Sequence, residues 1–284
     1  MKCIAVDWSG AESDALQLQG IALAIAEGGS LTRVTNGLVR EEVIGLLMQE
    51  IKSGGELAIG MDFAFSFPAW YLQRRKRQRA SAFWELAAKE GETWLDGNTW
   101  PFWGRKGRYQ KRPVSLNAYS EFRKTDDDLR DSGFRPQSVF KVYGAGTVGT
   151  GSIRGLPFLA NLRNAGAAIW PFDAASNGQP IVIEIYPRYF YTTEGINEVI
   201  NNGKITGRDS RQAYLASEKY RHIEQHWRDF MIGNEHAFDA GISALKMSAH
   251  AADLRSLQQD TDAPYSLEGR IWTPPTGSES CPGG

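Results

Sequence analysis

The sequence predicts an α/β fold, in which a mixed β-sheet is flanked by helices and carries a helical and loop insertion after its fourth strand. Short apolar runs that end at Gly or Pro, such as CIAVDW, LAIGMDFAF and PIVIEIY, are typical of buried strands. A Gly28-Gly29 turn between two further apolar runs predicts a β-hairpin. Apolar residues at helical spacing from Val39 to Ile51 predict a helix that leads into the next strand.

The first elements follow in the order β-β-β-α-β. The predicted strands are Cys3–Trp8, Leu18–Ala26, Leu31–Thr35 and Leu57–Phe65, and Gly54-Gly55 ends the helix that precedes the last of them. A crossover helix between strands of one sheet sets the fourth strand parallel to the first.

The remaining chain divides by composition into an insertion and a second part of the core. We predict core at 1–67, a basic and aromatic insertion at 68–166, core again at 167–276, and a disordered Gly/Pro/Ser tail at 277–284. The second core part is predicted to hold a strand at Pro180–Tyr186, helices at Ser210–Phe230 and Asn234–Ala252, the latter capped by Asn234, and an edge strand at Arg270–Thr273.

Composition limits the class of protein. The chain has 284 residues, 42% of them hydrophobic, and a formal net charge of −1, all ordinary for a globular protein. No apolar run approaches the roughly 20 residues needed to cross a bilayer, and no signal peptide is visible at the start of the chain. Cys3 and Cys281 are placed too differently to form a disulfide framework. We therefore expect a cytoplasmic protein with no membrane partner.

Three apolar strands each carry one acid near the carboxyl end: Asp7, Asp62 and Glu184. A charged carboxylate in a buried strand costs several kcal/mol unless it is paired or binds a cation. One such acid has an ordinary explanation in partial exposure or a salt bridge, whereas three together favour a shared site at the ligand-binding edge of the sheet. Carboxylate clusters suit Mg²⁺ or Mn²⁺, and two such ions can promote displacement at phosphorus.

A fourth acid lies in the predicted final helix. Asp239 and Glu235 are four residues apart and so share a helix face. Glu235 has the ordinary explanation of an acid in a first helical turn, and we favour Asp239 as the ligand because Phe238 and Ala240 flank it. The predicted catalytic and metal-binding residues are therefore Asp7, Asp62, Glu184 and Asp239.

Four short motifs carry a resemblance to a known group of proteins: VDWSG, GMDFAFSFP, EIYPRYFY and FDAGISALKMSAHA. With them the chain resembles the ribonuclease-H-like superfamily, and within it the predicted-nuclease family named domain of unknown function 429. The resemblance covers the core and leaves most of 68–166 outside. It implies a mixed sheet of strand order 3-2-1-4-5 and a metal-dependent nuclease that hydrolyses phosphodiester bonds of DNA or RNA.

The insertion is strongly basic. Eleven Lys and Arg residues stand against four acids between Leu72 and Arg112, a net charge of +7, with aromatic residues interleaved. Basic side chains attract phosphates and aromatic rings stack on unpaired bases, although a solvated helix face and a packed subdomain explain the same composition. With Ser9 of the first motif, the predicted substrate-binding residues are Arg74, Arg75, Arg77, Arg105, Lys106, Arg108, Lys111 and Arg112.

Other functions are compatible with the sequence. A phosphoryl transferase of the sugar-kinase and actin-like fold would normally duplicate the domain, which is present here once. A nucleic-acid-binding protein without catalysis would keep the fold alone. Gly144–Gly149 matches G-x-G-x-x-G after the strand-like VFKVY, but the acid expected about 20 residues later is missing.

Overall fold

The computed structural model describes residues 1–96, 98–104, 109–144, 147–192, 205 and 207–275. It shows an α/β fold built on one six-stranded mixed sheet with helices on both faces. Among the described residues, no helix is both long and apolar enough to cross a membrane. The predicted tail at 277–284 lies outside the described residues.

The sheet has six strands, and the last four in its order run parallel. The strands are β1 (Lys2–Asp7), β2 (Ala22–Glu27), β3 (Ser30–Asn36), β4 (Leu57–Met61), β5 (Ala168–Ile169) and β6 (Ile181–Glu184). Their order is β3-β2-β1-β4-β6-β5, with β2 antiparallel to both of its neighbours. The predicted hairpin at Gly28-Gly29 is confirmed.

The predicted strand order 3-2-1-4-5 differs from the observed order. A two-residue strand, β5, precedes the strand of PIVIEIY in the chain and takes the edge beside it, so that strand is the sixth. Two residues are too few to show an alternation of apolar and polar side chains, and the strand was therefore missed.

Helices cover both faces of the sheet. They are α1 (Asp14–Gly20), α2 (Arg40–Ser53), α3 (Ala69–Arg74), α4 (Ala80–Leu95), α5 (Lys124–Asp131), α6 (Val148–Asn164), α7 (Pro187–Thr192), α8 (Arg208–Leu215), α9 (Gln225–Gly233), α10 (Glu235–Ala249), α11 (Ala251–Ser256) and α12 (Tyr265–Glu268). Short 3₁₀ helices lie at Val114–Ala118 and Glu218–Tyr220.

Several predicted boundaries were wrong. Leu18–Gly20 belongs to α1 and not to a strand, because Leu16 and Leu18 are exposed while Gln17 is buried and accepts a hydrogen bond from the backbone of Arg40. The predicted helix at Ser210–Phe230 is two helices, α8 and α9, and the helix at Asn234–Ala252 divides at His250. The predicted edge strand at Arg270–Thr273 reduces to one bridge between Ile271 and Glu184.

The two predicted helix ends were right. The side chain of Asn234 accepts a hydrogen bond from the backbone of Ala237 and so caps α10. Gly54 ends α2 with a φ of +78°, a conformation that favours glycine.

The two faces of the sheet carry different side chains. Ile4, Val6, Ile59, Met61 and Val182 face the layer that contains α2, α4 and α6. The opposite face is largely alanine, and it packs against α10. This alanine face consists of Ala5, Ala22, Ala24, Ala26 and Ala58. Because alanine is small, α10 can lie close to the backbone of β1 and β2.

The thiol of Cys3 lies within the same face and is fully buried, which raises its pKa to about 12. Near pH 8 only about one thiol in 10⁴ is then a thiolate, the reactive form. We expect a Cys281→Ser variant to incorporate no iodoacetamide at that pH while folded, and one equivalent in denaturing guanidinium chloride. Mass spectrometry measures the incorporation, and native labelling within minutes would contradict the buried placement of β1.

Candidate active site

Asp7, Asp62 and Asp239 meet beyond the carboxyl ends of β1 and β4. Asp7 ends β1, and Asp62 follows β4, with its backbone N–H bonded to the carbonyl of Val6 at 3.1 Å. Side chains two residues apart in a strand point to the same face, so the side chain of Asp7 points towards α10, as those of Cys3 and Ala5 do. Asp62 follows Ala58 and Gly60 at the same spacing and therefore also points towards α10. Asp239 of α10 meets Asp7 and Asp62 there.

Glu184 is not brought into this cluster. It pairs in register with Met61, whereas Ile185 is the residue that lies beside Asp62. Ile183 and Ile185 face α10, and Glu184 therefore points to the opposite face with Val182. The strand period of two separates this acid from the other three.

On that opposite face Glu184 forms a buried ion-pair network. The guanidinium of Arg123 donates to its two carboxylate oxygens at 2.6 and 2.8 Å, and the backbone N–H of Phe65 donates to it at 2.9 Å. Arg123 also donates to Asp126 at 2.9 and 3.1 Å. Burial alone would lower the pKa of Arg123, but Asp126 and Glu184 outweigh it and raise that pKa. Glu184 thus has the salt bridge that the sequence left open as the ordinary explanation.

His236, which the sequence reasoning missed, lies against the carboxyl cluster. Its Nδ1 is 2.5 Å from Oδ2 of Asp7. The helix period gave a signal for it, because His236 and Asp239 are three residues apart and share a face of α10. Glu235, the other acid weighed for the helix position, is close enough to raise the pKa of both Asp7 and Asp239 by charge repulsion.

The pKa values of the cluster are all raised. Burial raises the pKa of Asp7, while His236 acts against this. Burial and the neighbouring charges of Asp7 and Glu184 hold the pKa of Asp62 well above its ordinary value, and burial with the charges of Asp7 and Asp62 does the same for Asp239. The hydrogen bond to Asp7 raises the pKa of His236. Asp7 and Asp62 lie close enough that each affects the pKa of the other.

These shifts predict how stability changes with pH. A raised pKa means that the folded state holds protons that the unfolded state has released, so stability falls as pH rises through the folded pKa values. The three carboxyls lower the stability of the fold as pH rises above the ordinary pKa range of a carboxyl group, and His236 does so at higher pH. Each proton held in this way changes the free energy of unfolding by about 1.4 kcal/mol per pH unit.

We therefore expect the protein in EDTA to lose stability from about pH 4 towards neutrality. Urea unfolding at several pH values measures this, with an Asp62→Asn, Asp239→Asn double variant as the comparison. The variant should show a shallower loss. Equal slopes in the two proteins would contradict the raised pKa values.

The donor chemistry of the cluster suits a hard cation, but the side chains do not form a finished metal site. Three carboxyls provide only oxygen donors, and Oδ1 of Asp239 is buried without a hydrogen-bond partner among the described residues. Within the described ranges, no group of three or more His, Cys, Asp or Glu side chains is arranged to hold a metal ion. A bound cation would compete with protons for these carboxyl oxygens.

A cleft of about 420 Å³ opens beside Asp7 and His236. Its floor is the loop after β1, whose carbonyls at Ser9 and Ala11 accept from Arg40 at 3.2 and 2.6 Å. Gly10 packs so closely on α6 that a Cβ there would lie 2.4 Å from the backbone nitrogen of Gly151. This loop is therefore held firmly, and it leads the chain from Asp7 along the floor of the cleft.

Ser9 lies in the cleft, but the predicted basic residues that the structure describes do not line it. Arg75 pairs with Glu90, and Arg112 donates to Glu121 at 2.8 Å and Asn117 at 2.6 Å. Arg74 lies over the Trp100 ring, the guanidinium of Arg77 donates to the carbonyl of Lys76 at 3.4 Å, and Lys111 is exposed. Arg105, Lys106 and Arg108 lie outside the described residues.

The glycine-rich loop does not follow a strand of the sheet. Val139–Val142 lies outside the sheet, and only Lys141 forms a bridge, with Trp103. Gly149 packs on the carbonyls of Val139 and Lys141, where a Cβ would lie 2.3 and 2.6 Å away. The strand-loop-helix context that a dinucleotide site needs is thus absent at this loop, and close packing explains Gly149.

Comparisons with protein-family models, with curated proteins and with solved structures found no match to this chain. The resemblance to ribonuclease-H-like nucleases therefore stays a prediction, and the proposed function rests on the site itself.

Proposed function

We propose that this protein hydrolyses phosphodiester bonds of nucleic acid with the help of Mg²⁺ or Mn²⁺ held by Asp7, Asp62 and Asp239. The observation that supports this most directly is the meeting of these three carboxyls beside a cleft, where one buried oxygen of Asp239 has no hydrogen-bond partner within the described ranges. Three carboxylates this close together repel one another, and a bound cation would compensate their negative charge.

The cation would supply polarisation of the phosphoryl oxygen and a more acidic bound water. The side chains of the protein have separate tasks. Asp7 stands nearest the cleft and is oriented by Nδ1 of His236, which is therefore a positioning residue. Asp62, which follows β4, and Asp239 of α10 supply the other two carboxyls of the cluster.

Glu184 has a supporting task in this proposal. By accepting from Phe65 and Arg123 it fixes the segment that follows Asp62. A rigid segment keeps the Asp62 carboxyl at its place beside Asp7, and a displacement of about 1 Å in such a site can cost about 10²-fold in rate. We therefore leave Glu184 out of the cation site and propose that its task is to hold Asp62 in position.

The architecture agrees with the nuclease proposal in outline. The strand order 3-2-1-4-5 that the ribonuclease-H-like resemblance implies places three parallel strands side by side, and β1, β4 and β6 pair in this way, although α1 lies between β1 and β2 and β5 is added at the edge. A fold alone does not define a reaction, and so the proposal depends on the carboxyl cluster.

The test uses two substrates and one cation at a time. Purified protein with Mn²⁺ or Mg²⁺ should hydrolyse bis(p-nitrophenyl) phosphate and a labelled oligonucleotide, and EDTA should stop both reactions. Isothermal titration with Mn²⁺ should show binding that weakens as pH falls, because protons and the cation compete for the same oxygens. No hydrolysis of DNA, RNA or the small diester with either ion would refute the proposal.

A further inference from the structure

Three aromatic rings form a surface shelf within the basic insertion. Trp70 stacks on Tyr119 with ring centroids 4.4 Å apart, and Trp100 lies 5.5 Å from Trp70 and 5.6 Å from Tyr119. We call Trp70, Trp100 and Tyr119 the aromatic shelf. Tyr119 is 38% exposed and the two tryptophans are half-buried.

The shelf is anchored from below and rigid. The ring of Trp70 contacts the buried rings of Tyr71 and Phe140. The indole N–H of Trp70 donates to the carbonyl of Ser120 at 2.7 Å, and that of Trp100 donates to Ser115 Oγ at 3.0 Å. The polar atoms of both indoles are thus used within the protein, and what the shelf offers to a ligand is the faces and edges of its rings.

Other aromatic residues of the insertion have a different place. Trp84, Trp94 and Phe102 are almost fully buried and pack as a core. For these three the packing explanation that the sequence left open is correct. The division separates the rings that build the insertion from the rings that reach its surface.

The shelf has a cation, Arg74, beside it, and further cations follow Arg74 in the chain. The guanidinium carbon of Arg74 lies 4.6 Å from the ring centroid of Trp100. Arg74, Lys76 and Arg79 are exposed. In the part of the chain that the structure describes, neither these three nor Arg77 lie within ion-pair distance of an acid. A rigid aromatic face beside unpaired positive charge is complementary to a polyanion that also carries flat rings.

The shelf lies towards the same edge of the sheet as the carboxyl cluster. Ser120, which accepts from Trp70, precedes Arg123 by three residues, a chain distance of at most about 11 Å. Arg123 in turn holds Glu184 at the carboxyl end of β6. The shelf is thus connected through Ser120 and Arg123 to the carboxyl end of β6, the strand beside β4, which Asp62 follows.

We propose that the aromatic shelf binds the unpaired bases of single-stranded nucleic acid, with Arg74 and its neighbours on the phosphates. This deepens the proposed function and rests on it, because it names the form of nucleic acid that the site would receive. Bases within a duplex are stacked on one another and cannot lie on a protein ring, so a duplex should bind less tightly. Proline-rich peptides also dock on aromatic surfaces, but the unpaired cations favour a polyanion.

Fluorescence anisotropy of a labelled 20-nucleotide oligothymidine, in EDTA and at low salt, tests the shelf without any cation-dependent step. Tyr119→Ala should weaken binding about 5- to 150-fold, which corresponds to the loss of one base-stacking contact. Trp100→Ala should do the same, and Arg74→Ala should reduce the salt dependence of binding by about one phosphate contact. Lys52→Ala, an exposed lysine on α2, serves as the matched control and should bind as the wild type does.

Three results would overturn the proposal that the shelf binds single strands. They are no binding of the single strand by the wild type, binding that Tyr119→Ala leaves unchanged, and equal binding of a duplex of the same length. Circular dichroism of each variant confirms that it is folded, and Tyr119, being exposed, is the variant least able to disturb the core. Hydrolysis of bis(p-nitrophenyl) phosphate by the wild type tests the reaction separately. Oligonucleotide binding without hydrolysis would refute the reaction and support the shelf, whereas hydrolysis without oligonucleotide binding would refute the shelf.

Discussion

Asp62→Asn is expected to abolish cation-dependent hydrolysis while leaving the protein as stable as the wild type or more stable. Asn resembles the protonated form of Asp62 in size and shape, but it removes a negative charge that the proposed cation needs. Loss of cation polarisation is worth several kcal/mol, so we expect a fall in kcat/KM of about 10³-fold, or roughly 4 kcal/mol. Thermal unfolding in EDTA should show a Tm that is unchanged or higher, because burial and the charges of Asp7 and Glu184 raise the pKa of Asp62 and make its ionised form unfavourable.

Asp62 is a better position for this test than Asp7. The carboxylate of Asp7 pairs with His236, and Asp7→Asn would therefore remove a favourable contact together with the charge. Glu41→Gln is the matched control, since Glu41 is an exposed acid on α2 and its substitution should change neither rate nor Tm. An Asp62→Asn protein that keeps more than about a tenth of the wild-type rate, a loss of under 1.4 kcal/mol, would exclude Asp62 from the reaction.

Arg123→Ala is expected to cause the largest loss of stability. The side chain is 2% exposed, and its removal would leave Glu184, 3% exposed, and Asp126 as unpaired buried acids. Breaking a buried ion pair from one side costs about 3–5 kcal/mol, a large part of the roughly 5–15 kcal/mol that stabilises a domain. Urea unfolding of the variant measures this loss.

The exposed pair of Arg130 and Asp127 provides the control. Their side chains are 48% and 41% exposed, and Arg130→Ala should therefore cost less than about 1 kcal/mol. In a triple variant in which Arg123, Asp126 and Glu184 all become apolar residues of similar size, part of the stability should return, because no buried charge is left. A loss in Arg123→Ala no larger than in Arg130→Ala would show that the network is not buried in solution.

The sequence was informative about the strands and less so about the directions of their side chains. Apolar runs ending in Gly or Pro located β1, β4 and β6, and the structure places the acids near their ends at the carboxyl edge of the sheet, as expected. The period of two along each strand was also present in the sequence. Applied to Ile183, Glu184 and Ile185 it places the acid opposite to the isoleucines, but only the register against Met61 shows which face that is.

Other features depend on contacts that no local pattern contains. Arg123 is 61 residues from Glu184, and nothing around Arg123 distinguishes it from the other basic residues of the insertion. His236 was within reach of the sequence, since its spacing from Asp239 places both on one face of α10. The aromatic residues of the insertion could not be divided into core and surface before their packing was known, because both groups have the same composition.

The alanine face beneath α10 sets the gap across which Asp239 reaches Asp7 and Asp62. A methyl group at Ala5, Ala24 or Ala58 is a spacer of fixed thickness, and a larger residue at any of them would lift the helix from the sheet. Lifting would draw the helix acid away from the two strand acids and relieve their mutual repulsion. The reactivity of this protein would then be adjustable from within its interior, by the bulk of residues that never meet a substrate.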